Sequence, residues 1–104
     1  MNFQEVTVSA AQQMIEDQDV ILLDYRDPQS YQVAHVENAM LAHDGLVESI
    51  IKKRDVDKPV IIYCYRGNAS KELAALFGQF GFDSYSVIGG FTEWQKHLQK
   101  PPGT

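Results

Sequence analysis

Pro59-Val60-Ile61-Ile62-Tyr63 runs directly into Cys64-Tyr65-Arg66-Gly67-Asn68-Ala69-Ser70-Lys71, and the two stretches differ in kind. The first is short, β-branched and opened by a proline, the pattern of a buried strand. Beyond Ser70 the period changes. Leu73, Leu76, Phe77 and Phe80 fall at i, i+3, i+4 and i+7, the apolar stripe of a helix packed on a sheet. The one cysteine of the chain therefore stands at the carboxyl end of a predicted strand, where a tight loop leads into a helix.

A thiol in that place is drawn toward ionisation, because the unpaired N–H groups of a first helical turn and the positive end of its dipole both favour an anion. Gly67 adopts a left-handed conformation freely and Asn68 tolerates one, so successive loop N–H groups can turn inward as an anion-holding nest. Arg66 and Lys71 add positive charge nearby. A free thiol titrates near about 8.5 and is scarcely ionised at neutral pH, whereas a depression of about two units makes thiolate the majority form. The expectation is a low-pKa nucleophile at Cys64 that needs no partner base. A lone cysteine is more commonly an apolar filler of the core. The flanking residues favour the reactive reading.

Outward from this loop, strands and helices alternate. Glu5-Val6-Thr7-Val8 reads as a first strand, and Ser9 with Gln12 forms a capping-box pattern that opens a helix through about Asp17. Val20-Ile21-Leu22-Leu23 is a continuous apolar run ending at Asp24, as in a strand buried on both faces. Asp27-Pro28-Gln29-Ser30 supplies a turn and a helix start, with Pro28 at the first helical position, and Tyr31 to Ala34 a short helix or turn. Ala39-Met40-Leu41-Ala42 is a weaker strand. Leu46, Val47, Ile50 and Ile51 make a helical stripe, closed by Lys52-Lys53-Arg54 against the negative pole of the dipole. After the central loop a helix runs to Gly81, and Ser84-Tyr85-Ser86-Val87-Ile88 forms the last strand. Gly89-Gly90 breaks it, and Phe91, Trp94 and Leu98 are the inner face of a final helix that Pro101-Pro102-Gly103 terminates. The order predicts an α/β fold, a three-layer α/β/α sandwich around a mostly parallel five-stranded sheet. Ligands of such sheets bind beyond the carboxyl ends of the strands, where Cys64, Asp24 and Gly89 converge.

A chain of 104 residues has room for one domain and one core, residues 1–104 being read as a single unit. It is 44% hydrophobic and 22% charged, as soluble globular proteins are. No apolar stretch is long enough to span a bilayer, and Met1-Asn2-Phe3-Gln4-Glu5 lacks the basic-then-apolar character of a signal peptide. A cytoplasmic location without a membrane partner is the expectation. A single cysteine leaves no internal disulfide and suits a reducing compartment. The formal charge of −5 disfavours nucleic acid as a partner. His35, His43 and His97 are scattered and there is no second cysteine, so neither a metal site nor a cofactor is expected.

The spacing C-x-x-G-x-x-S before a helix resembles the active-site loop of the rhodanese family, the thiosulfate sulfurtransferases. Leu23-Asp24-Tyr25-Arg26-Asp27, followed by Tyr31 and Ala34-His35-Val36, is similar to that family's N-terminal signature, and Ile88-Gly89-Gly90-Phe91 with Trp94 to its C-terminal one. The tyrosine after the cysteine, the loop asparagine and the following lysine look most like the small single-domain bacterial members. Two positions depart from the pattern. Ala69 stands where many members carry an arginine, and Ala34 replaces the usual glycine before His35.

The resemblance implies a double displacement through a Cys64 persulfide, with thiosulfate as sulfur donor and cyanide or a dithiol such as thioredoxin as acceptor. The binding loop would be Tyr65, Arg66, Gly67, Asn68, Ala69, Ser70 and Lys71, its N–H groups holding the anionic sulfur while Arg66 and Lys71 meet the donor's oxyanion end. Asp24 and Arg26 either support the site or hold loops together, and the structural role fits better, since an aspartate at a strand end usually accepts backbone N–H bonds or pairs with a nearby arginine. His35 reads as a structural hydrogen-bonding residue, and Phe91 and Trp94 as core. Two other readings stay open. One is a persulfide carrier that receives sulfur from a protein donor. The other is a cysteine phosphatase or arsenate reductase, against which stands Ser70 at the position, six after the cysteine, where a tyrosine phosphatase needs arginine.

Overall fold

A computed structural model describes residues 2–99 of the chain. Ten elements alternate in order: β1 (Gln4–Val6), α1 (Val8–Asp17), β2 (Ile21–Asp24), α2 (Pro28–Val33), β3 (Met40–Leu41), α3 (Asp44–Lys53), β4 (Val60–Tyr63), α4 (Ala69–Gln79), β5 (Ser84–Val87) and α5 (Gly90–Gln99). The strands form one sheet in the order β1-β5-β4-β2-β3, and every pairing is parallel. Parallel neighbours need crossover connections, and the helices supply them. Burial follows from that architecture. Val60, Ile61, Ile62 and Tyr63 of the central strand are all wholly buried, because helices cover both faces.

The two faces carry separate cores. Leu22, Ile61, Tyr63 and Val87 meet Val8 and Ala11 of α1 and Phe91 and Trp94 of α5. On the other side Leu23, Val60 and Ile62 meet Ile50 of α3 and Leu73, Ala74 and Phe77 of α4. Alternate residues of each strand thus serve opposite layers, as the period of two dictates. Burying a side chain such as Phe77 contributes about 1.5–3 kcal/mol, and its ring also meets Phe82 edge-on at 5.4 Å. The expected three-layer α/β/α sandwich is the observed one, parallel throughout.

Details of several elements differ from the sequence reading, β3 being Met40–Leu41 without Ala39 and Ala42, and β5 ending at Val87, before Ile88. The first strand is Gln4–Val6, not Glu5 to Val8, and Thr7, not Ser9, caps α1, its Oγ1 accepting from Ala10 N at 3.1 Å. Both residues carry a hydroxyl; the one that keeps Val8 buried in the first turn is used. In α4 the buried stripe is Ser70, Leu73, Ala74 and Phe77, while Leu76 and Phe80 are 36% and 52% exposed. Ala74 lies against β5, its carbonyl accepting from Ser84 Oγ at 2.7 Å, and this face, not that of the larger pair, meets the sheet. The helix ends at Gln79 instead of reaching Gly81. In α5, Phe91 and Trp94 are buried as expected but Leu98 is exposed. The terminating role of Pro101-Pro102-Gly103 lies outside the described residues. Among those residues, no helix is long and apolar enough to cross a membrane.

Candidate active site

Cys64 follows the last residue of β4, at the carboxyl edge of the sheet and in its middle strand. The chain leaves β2 toward β3 on one side and β4 toward β5 on the other, and such a divergence opens a crevice. Its side chain is almost fully buried, 2% exposed, yet it is not sealed in hydrocarbon. Gly67 N donates to Sγ at 3.2 Å and Ser70 N at 3.3 Å, and Ser70 Oγ lies 3.3 Å away. Burial pushes the thiol up. The Ser70 hydroxyl and the N–H groups of Ser70, Gly67 and Arg66 outweigh that, and the Cys64 pKa is lowered from its ordinary value.

The loop earns this geometry from one glycine. Gly67 has φ +94, a left-handed conformation that turns its N–H inward, and a Cβ there would meet Gly89 N at 3.0 Å and Val87 O at 3.1 Å. Asn68, which could tolerate a left-handed conformation, is right-handed at φ −92 and caps α4 without a side-chain hydrogen bond. A single reversal suffices, because α4 begins at once and its own first-turn N–H groups supply the rest. The other wall of the loop is the start of α5. Phe91 N donates to Cys64 O at 2.7 Å and Thr92 N to Tyr65 O at 3.2 Å. That approach requires Gly90, where a Cβ would lie 2.4 Å from Cys64 O.

The remaining loop residues face outward or sideways. Tyr65 is half-exposed, and its hydroxyl lies 2.9 Å from Ser30 Oγ at the start of α2. Arg66 is exposed and makes no side-chain hydrogen bond or ion pair among the described residues. Ala69, the first residue of α4, is exposed as well. Lys71 does not face the loop alone: its Nζ sits 3.4 Å from Glu5 Oε1 of β1. Lys71 is thus engaged by a carboxylate of this chain, and Arg66 is the loop cation without a partner among the described residues.

Asp24 and Arg26 form a cluster at the carboxyl end of β2, the strand next to β4. Arg26 Nε donates to both carboxylate oxygens of Asp24, at 3.0 and 3.1 Å, and Nη2 to Oδ2 at 2.7 Å and to Ala34 O at 2.6 Å. The pair is buried, 4% and 0% exposed by side chain. Tyr63 completes it, giving its hydroxyl proton to Asp24 Oδ2 at 2.6 Å and accepting from Val36 N at 3.1 Å. Burial and then the Asp24 bond raise the Tyr63 pKa far above its ordinary value. For Arg26, burial opposes the charge, but the Asp24 carboxylate prevails and raises its pKa. The guanidinium also lies 3.9 Å from the centroid of the Phe91 ring, a cation–π contact. Ala34, in place of a glycine, has φ −163, an extended backbone open to any residue. His35 stacks on Tyr31 at 3.9 Å, with Nδ1 2.8 Å from Tyr31 O.

Three participants were not singled out by the sequence. Sequence pattern shows Tyr63 only as apolar strand, and Ser30 only as part of a turn and helix start. Ser86 of β5 is 1% exposed and lies 2.7 Å from Ser70 Oγ. Its one sequence signal is a second polar residue two places after Ser84, on a strand otherwise apolar inward.

A central parallel strand followed at once by a cysteine, with a glycine-turned loop and a helix start closing around the sulfur, is the architecture of a domain built to hold an anion. The comparisons agree with it. Residues 7–97 match the rhodanese-like domain family, and the chain belongs to that family. Its relatives include the thiosulfate sulfurtransferase GlpE of Pseudoalteromonas translucida, 32% identical over 96 residues that make up 91% of each chain. Among solved structures, a Bacillus halodurans protein superposes with a TM-score of 0.77 at 27% identity, covering 91% of this chain and 73% of the other. A rhodanese-related protein from Thermoplasma volcanium gives 0.78 at 20% identity, over 95% and 96%. This last likeness is one of fold.

Proposed function

We propose that the protein is a thiosulfate sulfurtransferase that carries sulfur on Cys64. Membership of the family and the GlpE relative support sulfur transfer as the class of reaction. The observation that carries the finer reading is the ring of polar groups on Cys64 Sγ, two donating N–H groups and the Ser70 hydroxyl at 3.3 Å, with no cationic side chain bonded to the sulfur among the described residues. Dipoles fixed in advance favour an anion without neutralising it, which is what a nucleophile and a leaving group at the same atom require.

The reaction runs in two displacements. The Cys64 thiolate attacks the outer sulfur of thiosulfate; a sulfur–sulfur bond forms, the bond to the sulfonate group breaks, and sulfite departs with the electron pair. The persulfide keeps one negative charge, which the loop N–H groups hold. Cyanide or a thiol then attacks the terminal sulfur, and Cys64 leaves as the thiolate it began as. Arg66, exposed and unpaired among the described residues, meets the sulfonate of the donor. Lys71 is assigned no part, since Glu5 engages it.

Phosphoryl chemistry fits poorly. A phosphatase loop grips its substrate with arginine, whereas Ser70 at that position is fully buried and bonded to Ser86. Initial rates with thiosulfate and cyanide test the proposal: parallel lines in double-reciprocal plots are the expected ping-pong pattern, and lines that intersect would show that no loaded enzyme form is released. Repeating the assay with a persulfidated cysteine desulfurase as donor separates the enzyme from a carrier of protein-bound sulfur.

A further inference from the structure

We propose that Ser86 is a positioning residue for the sulfur chemistry: it donates its proton to Ser70, so that Ser70 directs its own hydroxyl proton at Cys64. This rests on the reading of Cys64 as a thiolate nucleophile.

Ser84 and Ser86 point to the same side of β5, toward α4. Ser84 does what a buried strand serine usually does there, donating to a helix carbonyl, Ala74 O, at 2.7 Å. Ser86 instead meets a second hydroxyl, Ser70 Oγ, at 2.7 Å, and Ser70 Oγ lies 3.3 Å from Cys64 Sγ. Ser70 and Ser86 are 0% and 1% exposed, and no other side-chain hydrogen bond reaches Ser86 among the described residues.

The direction of this chain follows from its protons. A thiolate has none, so at the sulfur it accepts from Ser70. Ser70, with its single proton given away, accepts from Ser86. Both hydroxyl dipoles then run head to tail toward the negative charge, in a dry setting where such alignment is strengthened. With a protonated thiol the chain runs backward, from sulfur through Ser70 to Ser86, and both dipoles turn away. The Ser86 hydroxyl thus favours the anion without touching it.

The experiment measures the pH midpoint of Cys64 alkylation in four proteins: wild type, Ser86→Ala, Ser70→Ala and the double variant, with circular dichroism as the control on folding. Ser86→Ala is expected to raise the midpoint by about half a unit, a roughly threefold change in the thiol–thiolate equilibrium. In the Ser70→Ala background the same change is expected to lose more than half of its effect, since its route to the sulfur is gone. Ser86→Thr, which retains a hydroxyl, returns the midpoint to that of wild type. An unmoved midpoint in Ser86→Ala, an undiminished effect in the Ser70→Ala background, or a folded Thr variant that stays raised would each overturn the proposal. The result is read from differences between variants. Failure of sulfur loading on the wild type would therefore sink the transferase reading while leaving this one to stand or fall by its own data.

Discussion

Asp24 and Cys64 sit at the ends of adjacent strands, both are buried, and they manage charge in opposite ways. The Asp24 carboxylate is met by a fork of Arg26 N–H groups and by the Tyr63 hydroxyl, so its charge is cancelled where it stands. The Cys64 sulfur is met by neutral groups, two backbone N–H donors and the Ser70 hydroxyl. The first arrangement ties β2, β4 and the segment after α2 into one unit. The second favours the thiolate form of Cys64 without a counter-charge. A counter-charge is spent on structure; a ring of dipoles keeps the anion available for bond formation.

The comparison breaks first at the ion pair. Asp24→Ala strands the Arg26 guanidinium and is expected to cost about 3–5 kcal/mol in denaturant unfolding, while leaving the Cys64 midpoint of the folded fraction unmoved. A large shift of that midpoint would show that the two clusters act as one. Gly67→Ala acts the other way. Forcing a Cβ into a left-handed turn costs about 1–2 kcal/mol, and because the Gly67 N–H turns from the sulfur the alkylation midpoint should rise. An unchanged midpoint would remove the backbone from the account.

The third contrast is in pH. The Cys64 pKa is lowered in the folded protein by donors that outweigh burial. Its stabilisation is therefore full above the unfolded thiol value of about 8.5 and is lost as pH falls through the folded midpoint. Relative to Cys64→Ala, wild-type stability should rise with pH across that window and then level off. A difference that falls with pH would mean that the fold prefers the thiol. The smallest effect is expected from Arg66→Gln, which should raise the KM for thiosulfate about threefold at low salt and less at high salt, as a screened surface contact does. Equal effects at both ionic strengths would argue against a charge contact with the donor.

Much of the sheet was legible because its strands are β-branched runs with sharp ends, and the loop because a glycine three residues after a cysteine has few structural uses. Asp24 and Arg26 are two residues apart, so their pairing was open to local reasoning. The rest depends on contacts that sequence spacing does not encode. Ser86 meets Ser70 across a separation of 16 residues, and Tyr63 meets Asp24 across 39. Lys71 turns to Glu5 from the far edge of the sheet. Leu76 and Phe80 misled because periodicity weighs large apolar residues above Ala74, the residue that α4 buries.

Intact-protein mass spectrometry after exposure to thiosulfate tests the central claim most directly. The expected result is the gain of one sulfur atom, located on Cys64 by peptide mapping, absent in Cys64→Ala and lost when cyanide is added. A folded wild-type protein that gains no mass, or one whose added sulfur persists in Cys64→Ala, would contradict it.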